Sequence, residues 1–266
     1  MQKLFLALLF GCFCVTASAQ KTKKERRDER RQRINTLIKQ EEEGVIAYSK
    51  HTTYGVKLNT DGYGAFLEIG RAKSVKKALL FQLELSERKH PKEDKQTNPF
   101  IPTQPFIFGK VNYFYPVRMG VQQQILLGNK TNRNGVSVTG NFGGGLSLAL
   151  LRPYYLEIND NLNGTRRTIK YDSPDSSIFV NNAELASLSV SGTGIGRGWG
   201  DMKLVPGAYA KTAVRFDYGR FNEVVSALEV GLTAEFYAQK IMQLVYTKER
   251  NLFVNAYVAL VFGRRK

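Results

Sequence analysis

The chain has few of the residues that usually carry catalysis or bind metals. It contains two cysteines and two histidines in 266 residues, and both cysteines, Cys12 and Cys14, lie in the N-terminal apolar stretch. With so few histidines, no group of side chains has the spacing of a metal site. We therefore predict no metal and no cofactor. If the N-terminal stretch is removed, no disulfide is available either.

Long apolar runs are also missing after the N-terminus. A transmembrane helix needs about 20 continuous apolar residues, whereas the apolar segment 146–151 is bounded by Gly145 and Arg152. If the mature protein spans a membrane, strands must cross it.

Residues 1–19 have the features of a secretion signal. A charged start at Lys3 precedes an apolar core over residues 4–15, and Ala17-Ser18-Ala19 fits the small-x-small rule for cleavage before Gln20. The mature chain is then exported and free of thiols. The alternative is a lipoprotein acylated on Cys12, which requires a very short apolar core and a bulky Phe10 before the acylated residue.

The chain is strongly basic, with a formal net charge of +16 and a pI near 9.8. In an exported protein this charge favours lipopolysaccharide, anionic lipid or acidic proteins as partners, and not nucleic acid. We predict that the charged segment 20–50 forms a short periplasmic helix. The segment is either merely solvated or contacts anionic headgroups of the inner leaflet or an acidic periplasmic protein. The arginines concerned are Arg26, Arg27, Arg30, Arg31 and Arg33.

The strongest pattern is the strict alternation over residues 228–239. Leu232 and Phe236 belong to the apolar series, and Glu229 and Glu235 belong to the small or polar series between them. Period two places one series on each face of a strand, whereas a helix would spread the carboxylates around its circumference. Behind a secretion signal, repeated strands of this kind predict an all-β transmembrane barrel with its apolar face in lipid and its polar face in the lumen. A soluble β-sandwich or lipocalin-like barrel, with the polar face outward, is the alternative fold.

Alternation can be followed through eight strands between residues 51 and 266, which predicts an antiparallel barrel with both termini in the periplasm. The connections after strands three, five and seven are long, at about 87–105, 159–205 and 240–250, and those after strands two, four and six are short. Only the first external turn, at 60–62, is short as well. Bacterial barrels have short periplasmic turns and long external loops. Pro116 predicts a bend in the fourth strand, and the glycines at 143–145 predict a bulge or bend in the fifth, placed at 135–158.

The last strand carries a resemblance to a known class. Residues 255–262 place aromatic and apolar residues at alternate positions, and Ala17-Ser18-Ala19-Gln20 and the glycine-rich hairpins add to the likeness. The chain resembles the small outer-membrane β-barrel proteins of Gram-negative bacteria, in particular an uncharacterised Bacteroidota-type family. The resemblance implies insertion by the barrel-assembly machinery. The pattern departs from that class in that residues 263–266 follow Phe262, whereas such chains end on the aromatic residue.

Charged residues recur on the inward face of the predicted strands. An eight-stranded barrel is just wide enough for side chains to fill it, and opposite charges inside should pair because a lone buried ion costs several kcal/mol. We interpret them as a structural plug, with a proton or ion path or a buried acid/base pair as the alternative. The set comprises Lys57, Glu68, Glu84, Arg118, Lys211, Arg215, Asp217, Glu229 and Glu235.

No residue pattern points to a reaction. His51 and His90 are predicted at opposite ends of the barrel, and Ser86 with His90 is the pair that could serve a lipid A-modifying enzyme. The glycine-rich run 192–200 lacks the Gly-Lys-Ser/Thr of a phosphate loop, so we expect a flexible external loop.

We predict a non-enzymatic outer-membrane barrel of structural or interaction type, a type that includes accessories of secretion, motility or envelope assemblies. Its expected partners are outer-membrane lipid and lipopolysaccharide, the barrel-assembly machinery and a periplasmic or envelope protein. A lipid A-modifying enzyme and a small transport conduit are the alternatives.

Overall fold

The computed structural model describes residues 27–29, 31–32, 35, 50–74, 76–97, 104–129, 135–160, 165–172, 174, 177, 179, 189–194, 196–219 and 224–265. It divides into two units, Met1–Ala47 and Tyr48–Lys266. In the first unit the described residues are helical, and Arg27 and Arg31 are exposed. The predicted signal peptide and Arg26, Arg30 and Arg33 lie outside the described residues. In the described part of the chain, no helix has the length and apolar character needed to cross a membrane.

The second unit is built from strands. In chain order they are β1 (Lys50–Asn59), β2 (Gly62–Ser74), β3 (Lys77–Arg88), β4 (Lys95–Gln96), β5 (Phe106–Ile107), β6 (Asn112–Gly128), β7 (Ser137–Pro153), β8 (Tyr155–Asp160), β9 (Thr165–Lys170), β10 (Ser189–Gly192), β11 (Lys203–Asp217), β12 (Val224–Ile241) and β13 (Arg250–Arg265). Eight of these strands close into a barrel in the order β1-β13-β12-β11-β7-β6-β3-β2. All neighbours are antiparallel, and the predicted eight-stranded antiparallel barrel is confirmed.

The barrel closes between its first and last strands. Tyr54 of β1 stands opposite Phe262 of β13, and their ring centroids are 6.4 Å apart. Because β1 pairs with β2 on one side and with β13 on the other, the ring has no free edge at which another chain could add a strand.

The alternation in the sequence separates an apolar outer face from a polar inner face. On β12, Leu232 and Phe236 are exposed, whereas Glu229 and Glu235 are fully buried. Other outward residues around the ring are Val56, Leu58, Leu67, Ile69, Phe81, Leu83, Leu85, Met119, Phe142, Leu146, Leu252, Val254 and Leu260, all of them exposed. A continuous apolar belt on the outside of a closed barrel is the arrangement of a transmembrane barrel. The soluble alternative required a polar outer face and is therefore wrong.

Two strands differ from their predicted limits. The predicted fifth strand, 135–158, is two strands, because Pro153 ends β7 and Tyr154 leaves the barrel ladder to donate its N–H to the Val111 carbonyl at 2.8 Å. The sixth barrel strand, β11, begins at Lys203, inside the predicted loop 159–205.

The predicted bulge at residues 143–145 is also absent from β7, which pairs without a register shift at these positions. The glycines serve close packing instead: a Cβ on Gly145 would lie 2.4 Å from the Cα of Gly120, which stands opposite it on β6. Pro116 does not split β6, although the pairing of β3 with β6 is interrupted between Leu85–Val117 and Arg88–Phe114.

The long connections meet at one end of the barrel, which we call the loop end. They follow β3, β7 and β12 and occupy residues 89–111, 154–202 and 242–249. They contain two small sheets, one of β4 and β5 and one in the order β10-β8-β9. The opposite end, which we call the terminal end, carries the first residue of β1 and the last residue of β13.

Candidate functional site

The lumen contains a first charged cluster on β2, β11 and β12. Arg215 Nη2 lies 2.6 Å from Glu68 Oε2 and 2.5 Å from Glu229 Oε2. Lys211 Nζ lies 2.9 Å from Glu229 Oε1 and 3.8 Å from Glu68 Oε1. The Tyr257 hydroxyl donates a hydrogen bond of 2.7 Å to Glu229. Two cations and two carboxylates thus neutralise each other, and neutral donors bind the same carboxylate oxygens as the cations.

A second cluster lies closer to the loop end. Lys57 Nζ is 2.9 Å from Glu84 Oε1, and Arg118 Nη2 is 2.7 Å from the same oxygen. Arg118 also pairs with Glu235. Arg88 Nη2 lies 2.8 Å from Glu235 Oε1, and the Tyr237 hydroxyl donates to Glu235 Oε2 at 2.7 Å. The guanidinium of Arg88 also lies beside two neighbouring rings, 5.4 Å from the centroid of Phe114 and 5.3 Å from that of Phe253.

The two clusters account for eight of the nine residues predicted to line the lumen. The second cluster is also balanced in charge, because Arg88 Nε lies 3.4 Å from Asp61 Oδ2 in the turn between β1 and β2. Buried ion pairs are tolerated when each charge has a partner and further hydrogen bonds. The side chains fill the interior of this barrel, as expected for eight strands.

The ninth predicted residue, Asp217, lies apart from both clusters. It is buried at the terminal end, where Arg265 Nη2 pairs with its Oδ2 and the Gly219 N–H donates to its Oδ1 at 2.9 Å. Arg88 is not among the residues predicted to line the lumen, because the predicted loop begins at residue 87. Arg88 follows Glu84 and Ser86 at alternate, inward positions of β3, so extending the predicted strand by two residues includes it.

At the loop end, the three long connections fold together into what we call the loop module. Its apolar core takes side chains from all three connections: Ile107, Tyr154, Leu156, Ile158, Ile169, Phe179, Val190 and Leu244. Apolar burial of this kind supplies most of the stability of a small folded unit. The predicted loops are therefore parts of one packed structure.

Backbone hydrogen bonds join the same three connections. The Val111 N–H donates to the Gln243 carbonyl at 2.8 Å, and the Val245 N–H donates to the Gly109 carbonyl at 2.8 Å. The Ile107 N–H donates to the Tyr154 hydroxyl at 2.9 Å. Gly109 has a φ of +67°, a left-handed conformation that glycine adopts without strain.

A buried ion pair lies within the first connection of the loop module. Lys110 Nζ is 2.5 Å from Glu93 Oε2, and both side chains are almost completely buried. Burial lowers the pKa of the Lys110 ammonium, and the carboxylate of Glu93 opposes that shift. The ammonium also lies 4.2 Å from the ring centroid of Tyr113, so a cation–π contact supports it.

An arginine at the barrel rim ties the glycine-rich run to β7. The guanidinium of Arg152 is buried, 4.2 Å from the ring centroid of Tyr113 and 4.9 Å from that of Trp199. The Trp199 ring stacks on Tyr115 at a centroid distance of 6.0 Å. Trp199 belongs to the run predicted as a flexible external loop, so the end of this run packs on the barrel rim.

The candidate catalytic pair has other partners. The Ser86 hydroxyl accepts a hydrogen bond of 2.6 Å from Arg118 in the lumen. His90 accepts the Lys92 N–H on its Nδ1 at 3.1 Å, within the turn that follows β3. Among the described residues, no group of histidine, cysteine, aspartate and glutamate side chains has the arrangement of a metal site.

No protein-family model matches the chain, and no curated protein matches it. Among solved structures, Neisserial surface protein A (NspA) is 10% identical, with 82% of this chain and 95% of that chain covered and a TM-score of 0.37. The attachment invasion locus protein Ail of Yersinia pestis, in complex with the heparin analogue sucrose octasulfate, is 9% identical, with 82% and 97% covered and a TM-score of 0.34. The N-terminal β-barrel domain of Pseudomonas aeruginosa OprF is 11% identical, with 81% and 98% covered and a TM-score of 0.34.

At these identities the likeness concerns the fold alone. The closed ring of eight antiparallel strands, with an apolar outside and a charge-balanced inside, is the fold of a small outer-membrane β-barrel.

Proposed function

We propose that this protein is a non-enzymatic outer-membrane β-barrel of structural or interaction type, which presents the loop module outside the cell and residues 20–50 in the periplasm. The observation that carries the proposal is the shared apolar core of the loop module. Connections that served only to join neighbouring strands would not need a common apolar core, whereas these three bury Ile107, Ile158 and Leu244 together. A packed module on a rigid barrel offers a fixed surface for a partner.

The lengths of the connections support this orientation. The connections at the terminal end, 75–76, 129–136 and 218–223, have two, eight and six residues. At the loop end, 89–111 and 154–202 have 23 and 49 residues, whereas 242–249 has eight and the turn 60–61 has two. Bacterial barrels have short periplasmic turns and long external loops. Both termini are then periplasmic, and lipopolysaccharide or a surface protein is the partner available to the loop module. The basic segment 20–50 faces a periplasmic or envelope protein, as an accessory of a secretion, motility or envelope assembly would.

The filled lumen supports a structural role over transport. Arg118 bridges Glu84 and Glu235, and Arg215 bridges Glu68 and Glu229, so a solute would have to break several buried ion pairs to pass. The contacts of Ser86 and His90 likewise favour a structural role over lipid modification, because each side chain is engaged by a group other than its supposed catalytic partner.

Single cysteines test the orientation, because the mature chain is predicted to lack thiols. Each of three residues is replaced by cysteine in turn. Thr165 is exposed at the start of β9, Lys73 is exposed at the terminal end, and Thr233 is buried in the lumen. A membrane-impermeant maleimide should label Thr165→Cys on intact cells and Lys73→Cys only after the outer membrane is permeabilised. Thr233→Cys is the control and should react only after unfolding. Labelling of Lys73→Cys on intact cells would show that the barrel has the opposite orientation to the one proposed.

A photo-crosslinking amino acid at Thr165 tests the interaction role. We expect adducts with lipopolysaccharide or a surface protein on intact cells. They should disappear with Ile158→Asp, which disrupts the core of the loop module, while the barrel still shows heat-modifiable mobility in SDS. Absence of adducts, together with stable currents in planar bilayers, would favour a conduit; a changed lipid A profile after His90→Ala would favour an enzyme.

A further inference from the structure

The terminal end carries a row of exposed cations. These cations lie on the strands β13, β1, β2 and β3 and in the turn between β2 and β3. We call them the basic arc, which consists of Lys50, Arg71, Lys73, Lys76, Lys77 and Arg264. The four strands are neighbours in the barrel. All six residues are exposed, and among the described residues none of them forms an ion pair. We propose that the basic arc binds the phosphate groups of anionic phospholipids in the periplasmic leaflet of the outer membrane.

The basic arc lies directly beyond the apolar belt. Arg71 follows Ile69 on the outward face of β2, and Lys77 precedes Leu79 and Phe81 on the outward face of β3. Two residues along a strand correspond to about 7 Å, or about 5 Å along the membrane normal for a strand tilted by about 40°. Side chains of this length reach the level of the lipid phosphates while their stems remain along the apolar surface.

Two members of the arc stand directly opposite each other. Lys50 of β1 is the cross-strand partner of Arg71 of β2, and both side chains point outward. Opposite residues have Cβ atoms about 5 Å apart, and like charges there are destabilising. At the same end, Arg265 points to the other face and pairs with Asp217. Among the residues that the structure describes, no carboxylate pairs with Lys50 or Arg71, and a phosphate between the two cations would remove the repulsion.

In the part of the chain that the structure describes, the outward cations of the terminal end lie on one side of the barrel. On β6, β11 and β12, the outward residues described at the terminal end are uncharged and include Leu127, Phe216 and Val224, all exposed. A surface of this kind would distinguish lipids by headgroup charge at the flank formed by β13, β1, β2 and β3. The periplasmic leaflet consists of phospholipids, so the source of the phosphate is a lipid headgroup, and this assignment rests on the proposed orientation.

The test is site-specific quenching of a tryptophan placed beside the arc. Thr52 is exposed on β1, opposite Ile69 and Arg264, and Thr52→Trp in a Trp199→Phe background is the reporter. The protein is reconstituted in vesicles of equal parts phosphatidylcholine and phosphatidylglycerol, with bromine on the chains of one lipid or of the other. We expect the association constant at the reporter to favour phosphatidylglycerol about fivefold at low salt, the preference that corresponds to one basic contact with an anionic surface.

The double variant Lys50→Gln/Arg71→Gln should bring this ratio close to one, and Arg71→Lys should preserve it. The matched control is Lys240→Gln/Arg250→Gln, which removes two exposed cations from the adjacent strands β12 and β13 at the loop end; it should leave the ratio unchanged. Equal quenching by both lipids in the parent protein, or an equal loss of preference in the control, would overturn the proposal. Heat-modifiable mobility verifies that each variant is folded.

These vesicles have the same composition in both leaflets, so the result does not depend on orientation. A phosphatidylglycerol preference combined with labelling of Lys73→Cys on intact cells would refute the proposed orientation and retain lipid binding. The reverse combination would retain the orientation and refute lipid binding.

Discussion

Arg88 and Glu235 are 147 residues apart in the chain and meet in the lumen, where Nη2 of Arg88 lies 2.8 Å from Oε1 of Glu235. Glu235 also pairs with Arg118, so Glu235→Gln leaves two buried guanidinium groups without part of their counter-charge. Because breaking a buried pair exposes an uncompensated charge to a low dielectric, we expect a loss of about 3 kcal/mol in the free energy of unfolding. Urea unfolding in lipid vesicles, followed by the heat-modifiable band, measures it.

The control for Glu235→Gln is Glu157→Gln. Glu157 pairs with Arg166 at 2.9 Å, and the Arg166 side chain is 72% exposed. Solvent screens such a pair, so its loss should cost less than about 1 kcal/mol. If both variants unfolded at the same urea concentration, the ion pairs of the lumen would not stabilise the barrel.

A second prediction separates the loop module from the barrel. Ile158 is fully buried in the core of the module, and Ile158→Ala should destabilise that core by about 2–5 kcal/mol because it leaves a cavity. Since the barrel ladder does not include β8, we expect faster proteolysis within residues 154–202 and unchanged heat-modifiable mobility. Thr165→Ala, at an exposed position, is the control and should leave proteolysis unaltered. Loss of the folded band with Ile158→Ala would mean that module and barrel unfold as one unit.

A third prediction concerns the close approach of β6 and β7. A Cβ on Gly120 would lie 2.4 Å from the Gly144 carbonyl oxygen and 2.6 Å from the Tyr209 hydroxyl. Gly120→Ala should therefore cost about 1–3 kcal/mol through overpacking and lower the yield of folded barrel after refolding into detergent micelles. Gly194→Ala is the matched control, because nothing lies within 4 Å of its Cβ position. Equal yields from the two variants would contradict the packing described for Gly120.

A fourth prediction concerns the protonation of His90. Burial lowers the pKa of this imidazole, Glu93 raises it, and Arg250 and Lys92 lower it further. Arg250→Gln removes one cation that disfavours the imidazolium, so the pKa of His90 should rise towards its ordinary value. An NMR titration of the imidazole protons measures this directly, because the chain has two histidines and His51 lies at the opposite end of the barrel. A pKa of His90 that fell in Arg250→Gln would contradict the described surroundings.

Much of the barrel could be predicted because one local rule governs it. Successive side chains in residues 228–239 point alternately to the outside and to the lumen. The same alternation in β1, β3 and β6 places Lys57, Glu84 and Arg118 inside the barrel. Period two is visible without knowledge of any long-range contact. The partners of each charge could not be predicted in this way. Glu235 is bound by residues from β3 and β6, and this depends on barrel order and register.

The loop module could not be predicted for a related reason. Ile169, Phe179 and Val190 occur in a polar stretch without helical or strand periodicity, and their common environment arises from contacts with Ile107 and Leu244 in other connections. The end of β7 before Tyr154 could not be predicted either, because it also depends on contacts between distant parts of the chain. The position of Tyr154 continues the alternation of β7, yet its backbone and hydroxyl are bound by the first connection, which ends the barrel strand.

The pairing of β1 with β13 sets the order of events during biogenesis. Tyr54 and Phe262 are about 200 residues apart, and joining them requires closure of the longest loop in the chain, which costs entropy that grows with its length. Until β13 arrives, β1 and the most recently added strand both expose unpaired backbone groups, which invite aggregation. A chain that loses its last strand is therefore expected to be degraded in the periplasm, and the arrival of β13 commits the molecule to its final state.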